Sequence, residues 1–498
     1  MELVTALRAL PSSLAAIDDG HDSDDALRAS LARSYRVLPA EVARLFRLLS
    51  LHPGDEFSAE VAAATIGTPV AACLPMLRSL ASVHLLEHAG VRFILPPLMR
   101  AYATELAHDA TAPQELADAR VRMLDWYWAG ASSADQAVYP HRIQRADLAP
   151  PAAAPPVILE FGPAAMAWLS TERTNLSAAI VLASEHGLPH AWRMPVLLRE
   201  LYLLNNFRSD WKRTHEVALV AAHQAGDDQG EAGIHLGLAL LARLDDEPAK
   251  SLQGLRSALE LFGKAGNRRG EATTRHYLGN HYRYDREYTT AQTFYDHALR
   301  LRVEENDRSG QSATLHALGV IMVEQGDATQ ARAYLHQALD IRRSIGYHVG
   351  QAATLTELGM LADSEGDTET ALTVLDEVVA LQETQTADHE DVVRALTTLA
   401  DIHVDRGDYA QAAARARYAI GLCHPHNDRE HAIRASTTLS EALEHLGRHD
   451  EAQEESRHAR ELLVDLDVTP AIEPTAVRLT VLSDSDTDDD TTEPSDLP

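Results

Sequence analysis

Residues 318–338 read LGVIMVEQGDATQARAYLHQA and contain the pattern that decides the fold. Gly319 is followed by Ala331 twelve residues later and by Ala338 nineteen residues later. The turn-forming pair Gly326-Asp327 lies between Gly319 and Ala331. Small residues at fixed spacing mark places where two helices approach closely. The stretch therefore predicts an antiparallel pair of helices.

The same spacing recurs along the C-terminal half of the chain, with successive units 40 residues apart and one step of 41. The first small position holds Ala239, Gly279, Gly319, Gly359, Ala400 and Ser440, the second Ser251, Ala291, Ala331, Ala371, Ala412 and Ala452, and the third Ala258, Ala298, Ala338, Val378, Ala419 and Ala459. Arg199, Trp211 and Ala218 extend the frame backwards by one degenerate unit. A further series, predicted to lie in the loop before each unit, is Gly230, Gly270, Gly310 and Gly350. Stacked helix pairs bury their core between neighbours and present a long concave surface.

Composition limits the class of protein. The 498 residues carry a net charge of -30, which argues against affinity of the whole chain for nucleic acid or anionic membranes. The two cysteines, Cys73 and Cys423, are predicted to be buried free thiols in a reducing compartment. Neither a secretory signal nor an apolar run near the roughly 18 residues of a membrane span occurs. The sequence predicts a cytoplasmic protein, and its Arg-dominated positive charge is typical of GC-rich bacterial genes.

The N-terminal part has a different texture. A helix is predicted over residues 40–49, a second is capped by Ser58, and a third opens at Pro69. Residues 85–95 predict a hairpin around Ala89-Gly90. Three helices and a hairpin form the pattern of a winged helix. The predicted organisation is a helical remnant and linker at 1–29, a winged-helix domain at 30–110, a helix and Pro-rich linker at 111–157, a helical connector with the degenerate repeat at 158–228, six repeats at 229–466 and an acidic disordered tail at 467–498.

Each unit, with Leu-Gly, a Gly-Asp turn and a second helix rich in Ala, resembles a tetratricopeptide repeat, although it exceeds the usual 34 residues. Four N-terminal segments resemble the winged helix of bacterial STAND ATPases, the NB-ARC regulators of AfsR type: residues 34–39, 43–49, 51–54 and 98–103. Residues 167–176 resemble the connector of the same family. The resemblance implies an all-α tetratricopeptide superhelical solenoid preceded by a small winged helix. Many members of the family control secondary metabolism.

Two departures from the family shape the functional expectation. The resemblance places the nucleotide-binding domain before residue 1, and the chain contains no Gly-x-x-x-x-Gly-Lys-Ser/Thr motif. Where the family has a His-Asp pair that contacts nucleotide, Pro96-Pro97 stands here, and proline offers no side-chain donor. The expectation is a sensor arm without the ATPase, with no cofactor and no enzymatic activity.

The resemblance also implies where a partner binds, because the first helix of each tetratricopeptide pair lines the concave surface. The residues six and three before the small position and one after it are expected to face the groove, among them Thr356 and Thr397. The candidate partner-binding residues are His276, Asn280, Arg283, Tyr284, His316, Glu324, Met360, Asp363, Arg394, Asp401, Arg434 and Glu441. These side chains range from neutral polar through apolar to charged, which suits an extended protein or peptide segment.

Other chemistries find weaker support. His424, His426 and His431 with Asp428 form the densest histidine cluster, interpreted as a solvated loop because no paired metal-ligand motif accompanies it. The third helix of the winged helix has Arg78 as its one cation, whereas a recognition helix needs several cations or amides. The leading hypothesis is a non-catalytic regulatory scaffold for a protein or peptide. DNA-binding regulation through the winged helix, and a split STAND ATPase acting in trans, stay open as alternatives. Self-association and pairing with a separate ATPase also stay open.

Overall fold

The computed structural model describes residues 21–140, 148–152, 157, 162–383, 389–426 and 428–464. It divides into two compact units, Met1–Tyr347 and His348–Pro498, called here the first unit and the second unit. Apart from turns and one small sheet, the described residues are helical. The predictions for residues 1–20, 153–156 and 467–498 concern positions outside this described part.

The first unit begins with short helices around a three-stranded sheet. Its elements are α1 (His21–Arg36), α2 (Ala40–Leu49), β1 (Glu56–Phe57), α3 (Ala59–Ile66), α4 (Val70–Ser82), β2 (Glu87–Ala89), β3 (Arg92–Ile94) and α5 (Pro97–Ala110). The Ser58 hydroxyl accepts the Val61 N–H at 3.4 Å and caps α3, as its sequence indicates. The strands are antiparallel in the order β1-β3-β2, so the hairpin lies where the sequence predicts it. The winged-helix interpretation and the domain boundaries stay predictions.

Four longer helices follow: α6 (Pro113–Val138), α7 (Gly162–Glu185), α8 (His190–Leu204) and α9 (Arg208–Ala225). One apolar core joins them to the N-terminal elements, with Tyr127 and Trp211 fully buried in it. Arg92 of β3 donates to the Glu172 carboxylate of α7 at 2.5 Å, with Glu172 almost fully buried and Arg92 partly buried. Helices α8 and α9 form the degenerate pair, in which Trp211 and Ala218 occupy the small positions inside the core.

Three regular helix pairs complete the first unit: α10 (Asp228–Leu244) with α11 (Pro248–Lys264), α12 (Arg268–Tyr284) with α13 (Tyr288–Glu304), and α14 (Arg308–Glu324) with α15 (Ala328–Ser344). The first helix of a pair is called helix A and the second helix B. A Cβ atom at Gly279 would lie 2.5 Å from the ring of Tyr295, and one at Gly319 would lie 2.7 Å from Leu335. The small positions are therefore contacts where helix A meets a large buried side chain of helix B.

The second unit repeats the arrangement three times: α16 (His348–Ser364) with α17 (Thr368–Glu383), α18 (His389–Asp405) with α19 (Tyr409–His426), and α20 (Arg429–His445) with α21 (His449–Val464). A Cβ atom at Gly359 would lie 2.5 Å from Leu375, and Ala371, Ala412 and Ala452 are fully buried. The predicted all-α fold built from tetratricopeptide helix pairs is confirmed.

One expectation about the repeats is wrong. Gly230, Gly270 and Gly310 lie in the first turn of their A helices and not in the preceding loops. Each donates its N–H to the residue that caps the helix, as Gly270 does to Asn267 at 2.8 Å. A Cβ atom at Gly270 would lie 2.4 Å from the ring of Phe262, which belongs to the preceding B helix. At Gly270, glycine is needed because the preceding B helix packs directly against the first turn, while an added Cβ at Gly230 would meet Trp192 of α8.

Cys73 and Cys423 are buried and free, as the sequence predicts. Burial raises the pKa of each thiol to about 12, so neither is a reactive thiolate. No helix in the described ranges has by itself the length and apolarity to cross a membrane. One pair of helices, Ala59–Ile66 and Val70–Ser82, reaches the required length and apolarity when the two are combined, but the pair is bent by 104°.

Candidate protein-interaction site

The A helices α14 and α16 each leave one narrow stripe accessible to solvent. In α14, Ala313, His316 and Val320 are half-buried, while every other residue from Gln311 to Met322 is buried. Steps of three and four residues place the three accessible positions on one face of the helix. These are the positions that the repeat frame predicts to face the groove.

The accessible positions of α12 and α14 form the first-unit stripe, defined as Thr273, His276, Asn280, Arg283 and Tyr284 with Ala313, His316, Val320 and Glu324. Arg283 donates to the Glu324 carboxylate at 2.7 Å and so links the two A helices. Burial by itself would lower the pKa of Arg283, but the nearby Glu324 raises it overall. The guanidinium therefore stays charged, and the stripe is close to neutral.

Tyr284 is the most exposed aromatic side chain of this stripe, with 55% of its surface accessible. The guanidinium carbons of Arg243 and Arg283 lie 4.7 and 5.0 Å from the centre of its ring. Both contacts are within cation–π range and hold the ring in place at the end of α12. An ordered, exposed ring loses little entropy when a partner covers it.

His276 and Asn280 also belong to the packing of the repeat. The His276 ring lies 5.4 Å from the Tyr295 ring, and its buried Nδ1 has no hydrogen-bond partner. Burial, and then the charges of Arg302 and Arg283, hold the pKa of His276 well below its usual range, so the ring is neutral. The Tyr295 hydroxyl donates to Asn280 Oδ1 at 2.6 Å. Asn280 thus anchors a buried tyrosine, which the sequence did not indicate.

The second-unit stripe has a different chemistry. It is defined as Ala353, Glu357, Met360 and Asp363 on α16, Arg394, Asp401 and Asp405 on α18, and Arg434, Thr437 and Glu441 on α20. Five carboxylates face two guanidinium groups in this set. The stripe is therefore negative, in contrast to the first.

Both arginines of the second-unit stripe link neighbouring A helices. Arg394 donates to Glu357 at 2.7 Å and lies 3.3 Å from the Met360 sulfur. Arg434 donates to Asp401 at 2.9 Å. Because both cations already have carboxylate partners, the excess negative charge lies on the remaining acids.

Asp363 shows the effect of this excess. It lies exposed at the end of α16 and makes no ion pair with any residue that the structure describes. Partial burial, and then the charges of Asp405 and Asp401, raise the pKa of its carboxyl, while Arg434 lowers it. This end of the stripe would be stabilised by an added cation.

The expectation that Thr356 and Thr397 face the groove is wrong. Thr356 and Thr397 are fully buried, and their hydroxyls donate to the carbonyls of Ala352 at 3.0 Å and Val393 at 2.9 Å. Threonine can satisfy its hydroxyl one turn back in its own helix, so these side chains join the core. The sequence analysis also missed Glu357, although it lies three residues before Met360 on the same helix face.

The other candidate sites gain no support. α19 extends to His426, so His424 and His426 belong to a helix and not to a loop, and their side chains lie outside the described part. Asp428 caps α20 and binds the rings of His431 and His389 at 3.0 and 3.2 Å, which is a structural role. Among the described side chains, no group of three potential ligands is placed to hold a metal ion.

Comparison with known proteins agrees with the fold. The tetratricopeptide repeat family matches residues 310–384. The Streptomyces coelicolor regulatory protein AfsR is 33% identical over 169 residues, which are 33% of this chain and 17% of that protein. A STAND protein with a tetratricopeptide repeat sensor from Pyrococcus horikoshii superposes with a TM-score of 0.61 at 14% identity, over 88% of this chain and 59% of that one.

The quorum sensor NprR from B. thuringiensis, in its apo form, gives a TM-score of 0.45 at 17% identity, over 60% of this chain and 85% of that one. The chain spans less than two thirds of the length of both AfsR and the Pyrococcus protein. At 14% identity the Pyrococcus structure shows the fold alone. The comparisons show tetratricopeptide repeats over residues 310–384 and a partial sequence similarity to the regulatory protein AfsR.

Proposed function

We propose that this chain is a non-catalytic regulatory scaffold whose A-helix stripes bind a protein or peptide partner. The observation that carries the proposal is the negative second-unit stripe, where Asp363 makes no ion pair with the described residues and has a raised pKa. A surface that repels its own charges is stabilised by a partner of opposite charge. Tetratricopeptide pairs provide the rigid frame for such a surface.

The partner segment for the second-unit stripe is basic. Arginine or lysine side chains would pair with Asp363 at the C-terminal end of α16, where the charges of Asp405 and Asp401 also act on its carboxyl. Met360 adds an adaptable apolar contact beside the charges, since its flexible thioether packs against many shapes. This combination favours a basic peptide with apolar residues between its cations.

The first-unit stripe suits uncharged side chains. Its cation Arg283 is already paired, His276 is neutral, and the exposed Tyr284 ring offers a stacking surface. From the family resemblance we also propose that the regulated process is secondary metabolism. The same resemblance suggests a separate ATPase as one form of partner.

A display library of random peptides tests the proposal. The full chain should enrich peptides rich in Arg and Lys, and their affinity should fall with added salt. Replacing two carboxylates of the second-unit stripe, Asp363→Asn with Asp405→Asn, should weaken these peptides about tenfold, because exposed charge pairs contribute up to about 1 kcal/mol each.

The matched control removes the same charge from helix B. Glu454→Gln with Glu461→Gln, both in α21 and outside the stripe, should leave the affinity within about twofold. Enrichment of acidic or uncharged peptides, or equal loss in both double variants, would contradict the basic-partner proposal.

A further inference from the structure

A cavity of about 310 Å³ opens in the first unit between α9, α10 and α11. None of its residues belongs to the first-unit stripe. Its apolar lining is Leu238, Ala239, Leu241, Ala242 and Gly254, and its charged lining is Lys212, Glu216, Asp245, Glu247 and Lys250. The volume lies at the lower end of the range found for small-molecule sites.

Two lining positions of the cavity correspond to aromatic side chains in the following repeat. In the following repeat, the rings of Tyr282 and Phe294 stack in parallel, with centres 5.4 Å apart and planes within 5°. The residues 40 positions earlier are Ala242 and Gly254, and both line the cavity. A Cβ atom at Gly254 would lie 2.9 Å from that of Ala239, so the helices approach closely there. The cavity lies beside this contact, at the positions where the next repeat stacks two rings.

Some of the charged side chains at the cavity form ion pairs and others do not. Lys250 binds Glu247 at 2.5 Å, and Asp245 binds Arg208 at 3.2 Å. Lys212 and Glu216 lie one turn apart on α9 and form no ion pair with the side chains that the structure describes. One ammonium and one carboxylate are therefore available to a ligand beside an apolar slot.

We propose that this cavity binds a small aromatic molecule that carries both a carboxylate and an ammonium group, the chemistry of an aromatic amino acid. The ring occupies the slot left by the absent Tyr–Phe pair, against Ala242 and Gly254. The carboxylate faces Lys212, and the ammonium faces Glu216. The site is independent of the stripes, so it offers a second input to the scaffold.

Calorimetric titration of the full chain with three matched compounds tests the proposal. L-phenylalanine carries both charges, 3-phenylpropionate lacks the ammonium, and phenethylamine lacks the carboxylate. L-phenylalanine should bind at millimolar concentration or below, and each singly charged compound should bind about fivefold more weakly, as exposed charge pairs permit.

Three variants assign the binding to the cavity. Lys212→Gln should weaken L-phenylalanine about fivefold and leave phenethylamine unchanged, because only the first compound has a carboxylate. Lys264→Gln is the control, since Lys264 binds Asp228 outside the cavity. Ala242→Tyr, which restores one ring of the stack, should abolish binding, and a helical spectrum and melt will show whether it folds.

Several results would overturn the proposal. They are absence of L-phenylalanine binding at millimolar concentration, equal affinity for all three compounds, or equal loss in Lys212→Gln and Lys264→Gln. Full binding by a folded Ala242→Tyr variant would also overturn it. If that variant does not fold, the two lysine variants still decide the outcome.

Discussion

The two units use one buried frame and present different accessible chemistry. In the first unit Gly279 lies against Tyr295, and in the second unit Gly359 lies against Leu375, each with room for no side chain. The stripes differ: the first is close to neutral with an exposed tyrosine, and the second has five carboxylates against two guanidinium groups. Stacking therefore depends on the buried small positions, and recognition can vary on the stripes without disturbing the stack.

The largest expected effect comes from substitutions that test whether the two units share the same buried packing. Gly279→Ala and Gly359→Ala should each destabilise the protein by about 1–3 kcal/mol, because a methyl group would collide with a fully buried side chain. Similar costs in both units would support one frame. Urea denaturation followed by circular dichroism measures the change.

The controls are glycines that have open space around them. Gly263 in α11 and Gly421 in α19 have no atom within 4 Å of an added Cβ. Alanine at either position should stabilise its helix by up to about 1 kcal/mol through its higher helix propensity. Destabilisation by the control substitutions, or a tolerated Gly359→Ala, would show that close approach is not the shared constraint.

The regular spacing of these small residues explains why the fold could be predicted from the sequence. A spacing of 40 residues with small side chains reports close contacts directly, and the structure has helix pairs at every predicted unit. Helix faces were harder to predict, because a threonine can either face solvent or bond its hydroxyl to its own helix, as Thr356 does. Charge pairing between helices, such as Arg394 with Glu357, depends on rotamers that a single sequence does not specify.

The second prediction concerns the neutral character of the first-unit stripe. His276 is held neutral in the folded protein, whereas in the unfolded chain it takes up a proton below about pH 6.5. Acidification therefore favours unfolding, and this residue should contribute a loss of up to about 1.4 kcal/mol per pH unit below that point. His276→Phe, which keeps a ring beside Tyr295, should reduce the slope of stability against pH.

The matched control is His336→Phe, since His336 is an exposed imidazole of α15. Urea midpoints measured from pH 7 to pH 5 should keep the wild-type slope in the control and show a shallower slope in His276→Phe. Some slope remains in both, because burial also lowers the pKa of His52 and His215 to about 3. An unchanged slope in His276→Phe would mean that solvent reaches this ring.

The cavity in the first unit shows what a single sequence conceals. Ala242 and Gly254 are ordinary helix residues until the stacking of Tyr282 on Phe294 is known. Only the structure of one repeat reveals what the neighbouring repeat lacks. A comparison of units within a chain can thus locate a site where no motif exists.

The smallest expected effect concerns Asp363 in the second unit. Its contribution to stability changes with pH in the opposite direction to that of His276. The pKa of Asp363 is raised by partial burial and by Asp405 and Asp401, so the folded protein takes up this proton before the unfolded chain does. The wild type should gain stability from this group as pH falls through the folded pKa, and the gain is complete below the unfolded value of about 3.9.

Asp363→Asn removes the same repulsion without a proton, so it should stabilise the protein at pH 7 by no more than about 0.5 kcal/mol. The difference from wild type should shrink in high salt, because the carboxylates are exposed and screened. It should also disappear near pH 4, where the wild-type carboxyl is itself becoming neutral. A loss of stability at pH 7 in Asp363→Asn would show that the Asp363 carboxylate is stabilised by its surroundings, and it would contradict the proposal of a basic partner at this end of the stripe.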